Sequence, residues 1–163
     1  MLSEKVLNAL NKQLNSELYS AYLYLSMATW FDYRNLKGFA HWMKVQAKEE
    51  LEHAMKIYEY INDRGGKVVL EDVKAVNYEW KSITEVFEYA LEHEKNVTKR
   101  IHELFDLARA EGDKATEVFL HWFIQEQVEE EKTFSEILQT LKYAGEAPQV
   151  VLILDRQLAQ RKE

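Results

Sequence analysis

Four segments of the chain each carry apolar residues at alternating steps of three and four. Successive residues of an α-helix advance by about 100° around the axis, so this spacing puts the apolar side chains on one side of a helix. The four stripes are Leu7, Leu10, Leu14, Glu17, Ala21, Tyr24, Ala28, Phe31; Phe39, Met43, Gln46, Glu50, His53, Ile57, Ile61; Ile83, Phe87, Ala90, Glu94, Val97, Ile101, Leu104, Ala108; and Leu120, Phe123, Gln127, Glu130, Phe134, Ile137, Leu141. The sequence therefore predicts four amphipathic helices.

Each stripe turns polar near its middle, and the residues there are mostly of kinds that bind metal ions. They are Glu17, Glu50, His53, Glu94, Gln127 and Glu130. Burying an ionised carboxylate without a partner is costly, and four carboxylates close together repel one another. Two divalent cations would cancel the charge of the four, with His53 as a neutral nitrogen ligand. The pattern predicts a metal site in the core, unless the carboxylates are protonated or reached by water.

Composition narrows the choice of metal and partner. The chain has no Cys, which excludes thiolate sites and iron–sulfur clusters and leaves oxygen and imidazole ligands for iron, manganese or zinc. A net charge of −7 argues against a nucleic-acid partner. No segment has the apolar length of a signal peptide or a membrane span. We therefore expect a cytoplasmic protein without a membrane partner.

The first two helices have recognisable ends. Ser3 is a good N-cap for helix one, whose stripe is interrupted between residues 32 and 36. Gly65 and Gly66 are typical of the C-terminal end of helix two. Residues 67–81 have weak periodicity, and a connection of this length suits a crossover between the two ends of a bundle.

The second half repeats this organisation. Ser82 followed by Glu85 predicts a capping box at the start of helix three, and Gly112 separates helix three from helix four. Helix four ends near Gly145, and Pro148 suits the first turn of a short fifth helix. We predict one all-α domain over residues 1–163. It is a four-helix bundle at about 3–144 with a long crossover between helices two and three, plus a fifth helix at about 148–161.

Glu50-Leu51-Glu52-His53 is the Glu-x-x-His motif of di-iron carboxylate bundles, and the fourth helix offers Gln127-Val128-Glu129-Glu130 instead of a second copy. With these motifs the chain resembles the non-haem ferritins of bacteria and archaea over essentially its whole length. The resemblance implies a ferritin-like fold with a ferroxidase centre in the bundle core.

The resemblance also assigns residues. The first iron site would use Glu17, Glu50 and His53, and the second would use Glu50 as the bridge, Glu94 and Glu130. Tyr24 and Gln127 would lie beside these ligands. A third iron would be held by Glu49, Glu126 and Glu129, with Glu130 shared. Bacterioferritins have a second Glu-x-x-His and a haem-binding Met where this chain has Leu51, so no haem is expected.

The function implied by the resemblance is iron storage with ferroxidase activity. Fe(II) would be oxidised by dioxygen at the di-iron centre and stored as ferric oxide mineral in a hollow 24-subunit shell. Residues 150–154 are apolar all round, which favours burial of the fifth helix between subunits. Two alternatives remain open, a di-iron oxygenase acting on an organic substrate and a metal-free structural cage subunit.

Overall fold

The computed structural model describes all 163 residues, and its regular structure is entirely helical. The five helices are α1 (Glu4–Tyr33), α2 (Lys37–Asp63), α3 (Ile83–Ala110), α4 (Lys114–Ala144) and α5 (Pro148–Leu158). The predicted all-α bundle with a long crossover between α2 and α3 is confirmed. None of the helices has the length and hydropathy needed to span a bilayer.

Side-chain caps explain where two of the helices begin. Oγ of Ser3 accepts a hydrogen bond from the first turn of α1, as predicted. At α3, Oγ of Ser82 accepts from the backbone N–H of Glu85 at 3.1 Å. The carboxylate of Glu85 accepts from the N–H of Lys81 at 2.8 Å rather than from Ser82, so the capping box is displaced by one residue.

Two asparagines of α1 fix the crossover, which contains no helix or strand. Asn11 donates to the carbonyl of Lys67 at 2.9 Å and accepts from the N–H of Val69 at 2.8 Å. Asn15 makes the equivalent pair of bonds, 2.8 Å each, to the carbonyl of Val69 and the N–H of Glu71. The side-chain amides thus satisfy backbone groups of the connection that would otherwise have only water as partner.

The core is divided by the polar layer at mid-height. One apolar cluster contains 20 buried residues, including Phe31, Phe39 and Phe87. The other contains 12, including Leu10 and Ile57. Packing of the two apolar clusters therefore holds the four helices in place on both sides of the polar layer. The polar side chains of that layer contribute no hydrophobic stabilisation of their own.

Helix α5 is shorter than predicted, because it ends at Leu158 and not near residue 161. After Leu158 the chain leaves the helical path and follows α2, where Nε2 of His41 donates to the carbonyl of Arg161 at 2.7 Å. Of the apolar run on α5, Leu152 and Ile153 remain more than half exposed on the subunit.

Candidate metal centre

The structure brings five of the predicted residues to one level of the bundle. Glu17 comes from α1, Glu50 and His53 from α2, Glu94 from α3 and Glu130 from α4. Each lies on the core side of its helix, and none of the five is more than 5% exposed. The polar residues therefore stay on the same core side of each helix as the apolar residues of the stripe, as the spacing predicts. They meet at the level where the four stripes turn polar.

Potential ligand atoms from these residues form three overlapping groups, each with all its atoms within 4.8 Å of one another. The groups are Glu17, Glu50 and His53 (the first position); Glu50, Glu94 and Glu130 (the second position); and His53, Glu126 and Glu130 (the third position). Glu50 belongs to both the first and the second position, and its Oε2 is 3.3 Å from Nδ1 of His53. A shared carboxylate is what a pair of bridged cations requires.

The centre cannot keep all its carboxylates ionised without a cation. Burial raises the pKa of Glu50 and of Glu130 well above the usual range, and the charge of Glu94 raises both further. Burial also raises the pKa of Glu94 to about 7, despite opposing hydrogen bonds. Protons therefore occupy the metal-free centre, and a divalent cation can replace them.

Glu17 and His53 behave differently from the other three. Burial alone would raise the pKa of Glu17, but the neighbouring His53, whose Nδ1 lies 3.8 Å from Oε2 of Glu17, and protonated Glu50 lower it. Burial would lower the pKa of His53, yet the negative Glu17 beside it raises that pKa. Oε2 of Glu17 is buried with no hydrogen-bond donor. A cation at the first position would supply this oxygen with the partner that it lacks.

Two predicted neighbours orient Glu94. The phenol of Tyr24 donates to its Oε1 at 2.5 Å, and Nε2 of Gln127 donates to its Oε2 at 3.1 Å. Both carboxylate oxygens are thereby held in fixed directions inside the core, where Glu94 is 1% exposed. Such bonds hold a ligand in place before a cation arrives.

Two glutamines have equivalent roles that the sequence analysis did not assign. Nε2 of Gln13 donates to Oε1 of Glu17 at 3.0 Å. Nε2 of Gln46 donates both to Oε1 of Glu50 at 2.9 Å and to Oε2 of Glu130 at 2.7 Å. Each glutamine lies four residues before its own glutamate, so the i,i+4 spacing was an available signal for both.

The three residues predicted for a third iron have different environments. Oε1 of Glu126 lies 3.9 Å from Nε2 of His53, within the third position. Glu129 is exposed and belongs to none of the three groups. Glu49 is half-buried, and its Oε2 accepts a hydrogen bond of 2.9 Å from Arg161. Only Glu126 of the three therefore faces the ligand cluster.

A cavity of about 670 Å³ lies beside His53, between α2 and α4. Four glutamates and one lysine are among the nine residues that line it. These nine are Glu49, Leu51, Glu52, His53, Met55, Lys56, Glu59, Trp122 and Glu126. The excess of acidic side chains attracts cations to this opening. Trp122 packs edge-on against His53, with ring centroids 5.1 Å apart.

A four-helix bundle that gathers carboxylates and one histidine in its core belongs structurally to the ferritin-like helical proteins. The ferritin-like domain family matches residues 7–144, and the chain belongs to the ferritin family of iron-storage proteins. A bacterial non-heme ferritin of Bacteroides fragilis is 45% identical over 161 residues, which cover 99% of this chain and 100% of the relative. One from Staphylococcus epidermidis is 44% identical, covering 99% and 97%.

Solved structures agree with this assignment. An open pore ferritin from the hyperthermophilic archaeon Archaeoglobus fulgidus has a TM-score of 0.98 and 51% sequence identity. The match covers 99% of this chain and 100% of the archaeal chain. The resemblance to prokaryotic non-haem ferritins is therefore confirmed over the full length.

Proposed function

We propose that the protein is a ferroxidase that oxidises Fe(II) with dioxygen and stores the product as ferric oxide mineral. The observation that carries this proposal is the sharing of Glu50 by the first and second positions, which lets one carboxylate bridge two Fe(II) ions. Both ions are substrates, and the residues around them provide oxygen ligands and one imidazole nitrogen. Oxygen-rich ligands favour Fe(III) over Fe(II), so such a centre promotes the loss of one electron from each ion to dioxygen.

The protein contributes binding, orientation and proton release. Cations displace protons from Glu50, Glu94 and Glu130, whose pKa values burial raises. Gln46 and Tyr24 donate hydrogen bonds that keep these ligands aimed at the centre. The geometry is consequently prepared before iron arrives, which reduces reorganisation during electron transfer.

Product iron would leave through the acidic cavity between α2 and α4. The third position lies on this route, with Glu126 reaching His53 from the cavity side. Glu49 is a further ligand that a third iron can recruit, whereas Glu129, which the resemblance also assigns to a third iron, is exposed and lies outside the three ligand groups. Glu49 also lines the cavity.

We further propose assembly into a hollow 24-subunit shell. Leu152 and Ile153 on α5 are 57% and 58% exposed on the subunit, an apolar surface that neighbouring subunits would bury. Relatives that match the whole chain are ferritins. A chain without Cys is compatible with the reducing cytoplasm, where we expect the shell to work.

An oxygenase acting on an organic substrate is less well supported. Such an enzyme needs an apolar pocket beside the metals, whereas five of the nine residues that line the cavity at His53 are charged. A metal-free structural subunit is disfavoured because burying four carboxylates costs folding free energy. In a subunit that binds no metal, nothing would offset that cost.

The test is aerobic addition of Fe(II) followed by separation according to size. Wild-type protein should form a very large particle that turns amber and retains iron. Glu50→Ala should assemble normally but oxidise Fe(II) far more slowly, and Asp63→Ala, an exposed acidic position of α2 away from the cavity, serves as the matched control. Retention of no iron, or the same initial rate in Glu50→Ala, contradicts the proposal.

A further inference from the structure

The C-terminal residues after α5 run along α2 toward the metal centre. Two contacts anchor this tail: Nε2 of His41 bonds to the carbonyl of Arg161 at 2.7 Å, and Lys48 forms an ion pair with Glu163. Gly38 is what lets α5 approach so closely, because a Cβ there would lie 1.7 Å from the carbonyl oxygen of Asp155. The tail is thus held on the face of α2 that leads to Glu49.

The guanidinium of Arg161 makes three hydrogen bonds to α2. It donates to the carbonyl of Trp42 at 3.2 Å, to Oε1 of Gln46 at 2.9 Å and to Oε2 of Glu49 at 2.9 Å. It also stacks over the ring of Trp42, with Cζ 4.2 Å from the centroid. With its side chain 18% exposed, Arg161 is a well-packed cation beside the carboxylate cluster.

The bond to Gln46 fixes the direction of that amide. An amide has one acceptor oxygen and one donor nitrogen, and Arg161 engages the oxygen. The nitrogen is left to donate to Glu50 and to Glu130. Arg161 therefore reaches the ligands of the second position through a single intervening residue.

The bond to Gln46 supports the ligands of the second position, whereas the bond to Glu49 opposes the binding of a cation by Glu49. Glu49 lines the same cavity as His53 and Glu126, the cavity-side residues of the third position. Its Oε2 is engaged by the guanidinium, so a cation must displace Arg161 to use that oxygen. The two positive groups compete for one carboxylate, and whatever strengthens one interaction weakens the other.

We propose that Arg161 is a positioning residue that withholds Glu49 from the third position until the tail is displaced. The inference rests on the proposed function, since it assumes that the centre binds divalent cations. Arg161 acts through Glu49 and does not itself touch a cation. The device would limit the retention of a third ion and keep the cavity open for product to leave.

Zn²⁺ provides a test that does not depend on iron oxidation. Equilibrium dialysis of the assembled protein against a series of free Zn²⁺ concentrations counts the ions bound per subunit. The main variant is Arg161→Met, which retains an unbranched chain against Trp42 but removes the charge. If Arg161→Met does not assemble, Arg161→Ala takes its place. Removing a competing half-buried ion pair should tighten binding of the third Zn²⁺ on the order of five- to tenfold.

Two further variants separate competition from loss of structure. Lys162→Ala removes an exposed positive charge from the same tail without touching Arg161 or the contacts that anchor the tail, and should leave Zn²⁺ binding unchanged. In Arg161→Met/Glu49→Gln the gain should disappear. Third-ion affinity within about twofold of wild type in Arg161→Met, or a gain that persists in the double variant, overturns the inference. Wild-type protein that binds no Zn²⁺ in its core contradicts the proposed function instead.

Discussion

Tyr24 of α1 donates a hydrogen bond of 2.5 Å to Oε1 of Glu94 on α3 and so connects two helices across the candidate centre. Burial and the neighbouring charge of Glu94 raise the pKa of Tyr24 well above its usual value, which keeps the phenol protonated as a donor. The ring stacks on Phe134 with centroids 5.5 Å apart, so the hydroxyl has little freedom to move away. Tyr24 is consequently a fixed support for a cation ligand.

Tyr24→Phe should slow Fe(II) oxidation without changing assembly. The lost hydrogen bond to a charged group costs about 1.5–3 kcal/mol, and the pKa of Glu94 should rise because that bond lowers it. The deficit in initial rate should therefore be larger at lower pH, where more of Glu94 is protonated. Stopped-flow absorbance across a pH series measures it, with Tyr22→Phe on the exposed side of α1 as the control. A rate equal to wild type at every pH contradicts the role assigned to Tyr24.

Glu126→Gln and Glu129→Gln should differ, although the resemblance assigns both residues to a third iron. Glu126 is within 3.9 Å of His53, whereas Glu129 is exposed and outside the three ligand groups. We expect Glu126→Gln to remove the third bound Zn²⁺ at concentrations that fill it in wild type, and Glu129→Gln to retain it. Equal losses in the two variants, measured by the same dialysis, would place Glu129 among the ligands.

Stability of the metal-free protein should depend on pH through the buried carboxyls. The usual pKa of 4.5 for Glu94 is raised to about 7 in the folded protein. Between these values the unfolded chain releases a proton that the folded chain retains, so the contribution of Glu94 to stability falls as pH rises. Glu50 and Glu130 shift in the same direction.

Two comparisons isolate this effect from other titrating groups. Metal-free Glu94→Gln should gain thermal stability relative to wild type as the pH increases from about 5 to about 8, because the amide does not ionise. The increase in Tm caused by Zn²⁺ in wild type should grow over the same range, since fewer protons remain to be displaced. Differential scanning calorimetry that finds both differences independent of pH contradicts the assigned shifts.

Gly38→Ala should weaken the docking of α5 and the tail. The added Cβ would lie 1.7 Å from the carbonyl oxygen of Asp155, a backbone atom that cannot move without shifting α5. The side chain of Asp155 also accepts from the N–H of Phe39 at 3.0 Å, a bond that the shift would break. Overpacking of this kind costs roughly 1–3 kcal/mol, measured as a fall in Tm. Lys37→Ala, which loses one exposed ion pair, should change stability little; an equal fall in both variants would contradict the argument.

The sequence predicts the fold well because periodicity is a local property. Residues three and four apart share a helix face, so the stripes identify the core sides of α1 to α4 and place Glu17 and Glu94 among the buried residues. Caps such as Ser3 and Ser82 act within one helical turn and are equally visible in the sequence.

Contacts between distant segments are not encoded in this way. Gln46 reaches Glu130, which is 84 residues away, and Arg161 reaches Glu49 across 112 residues. Neither bond has a periodic signature, and each depends on how α4 or the tail is placed against α2. The end of α5 at Leu158 is likewise followed by a contact with a distant segment, the hydrogen bond between His41 and the carbonyl of Arg161.

The most direct test of the di-iron centre is an anomalous difference map, collected at the iron edge, from a crystal of the protein exposed to Fe(II). We expect two iron peaks in the core of each subunit, about 3.5–4 Å apart, with Glu50 between them. Glu17 and His53 should ligate one peak, and Glu94 and Glu130 the other. A core without iron, with peaks confined to exposed carboxylates, would contradict the proposed di-iron centre.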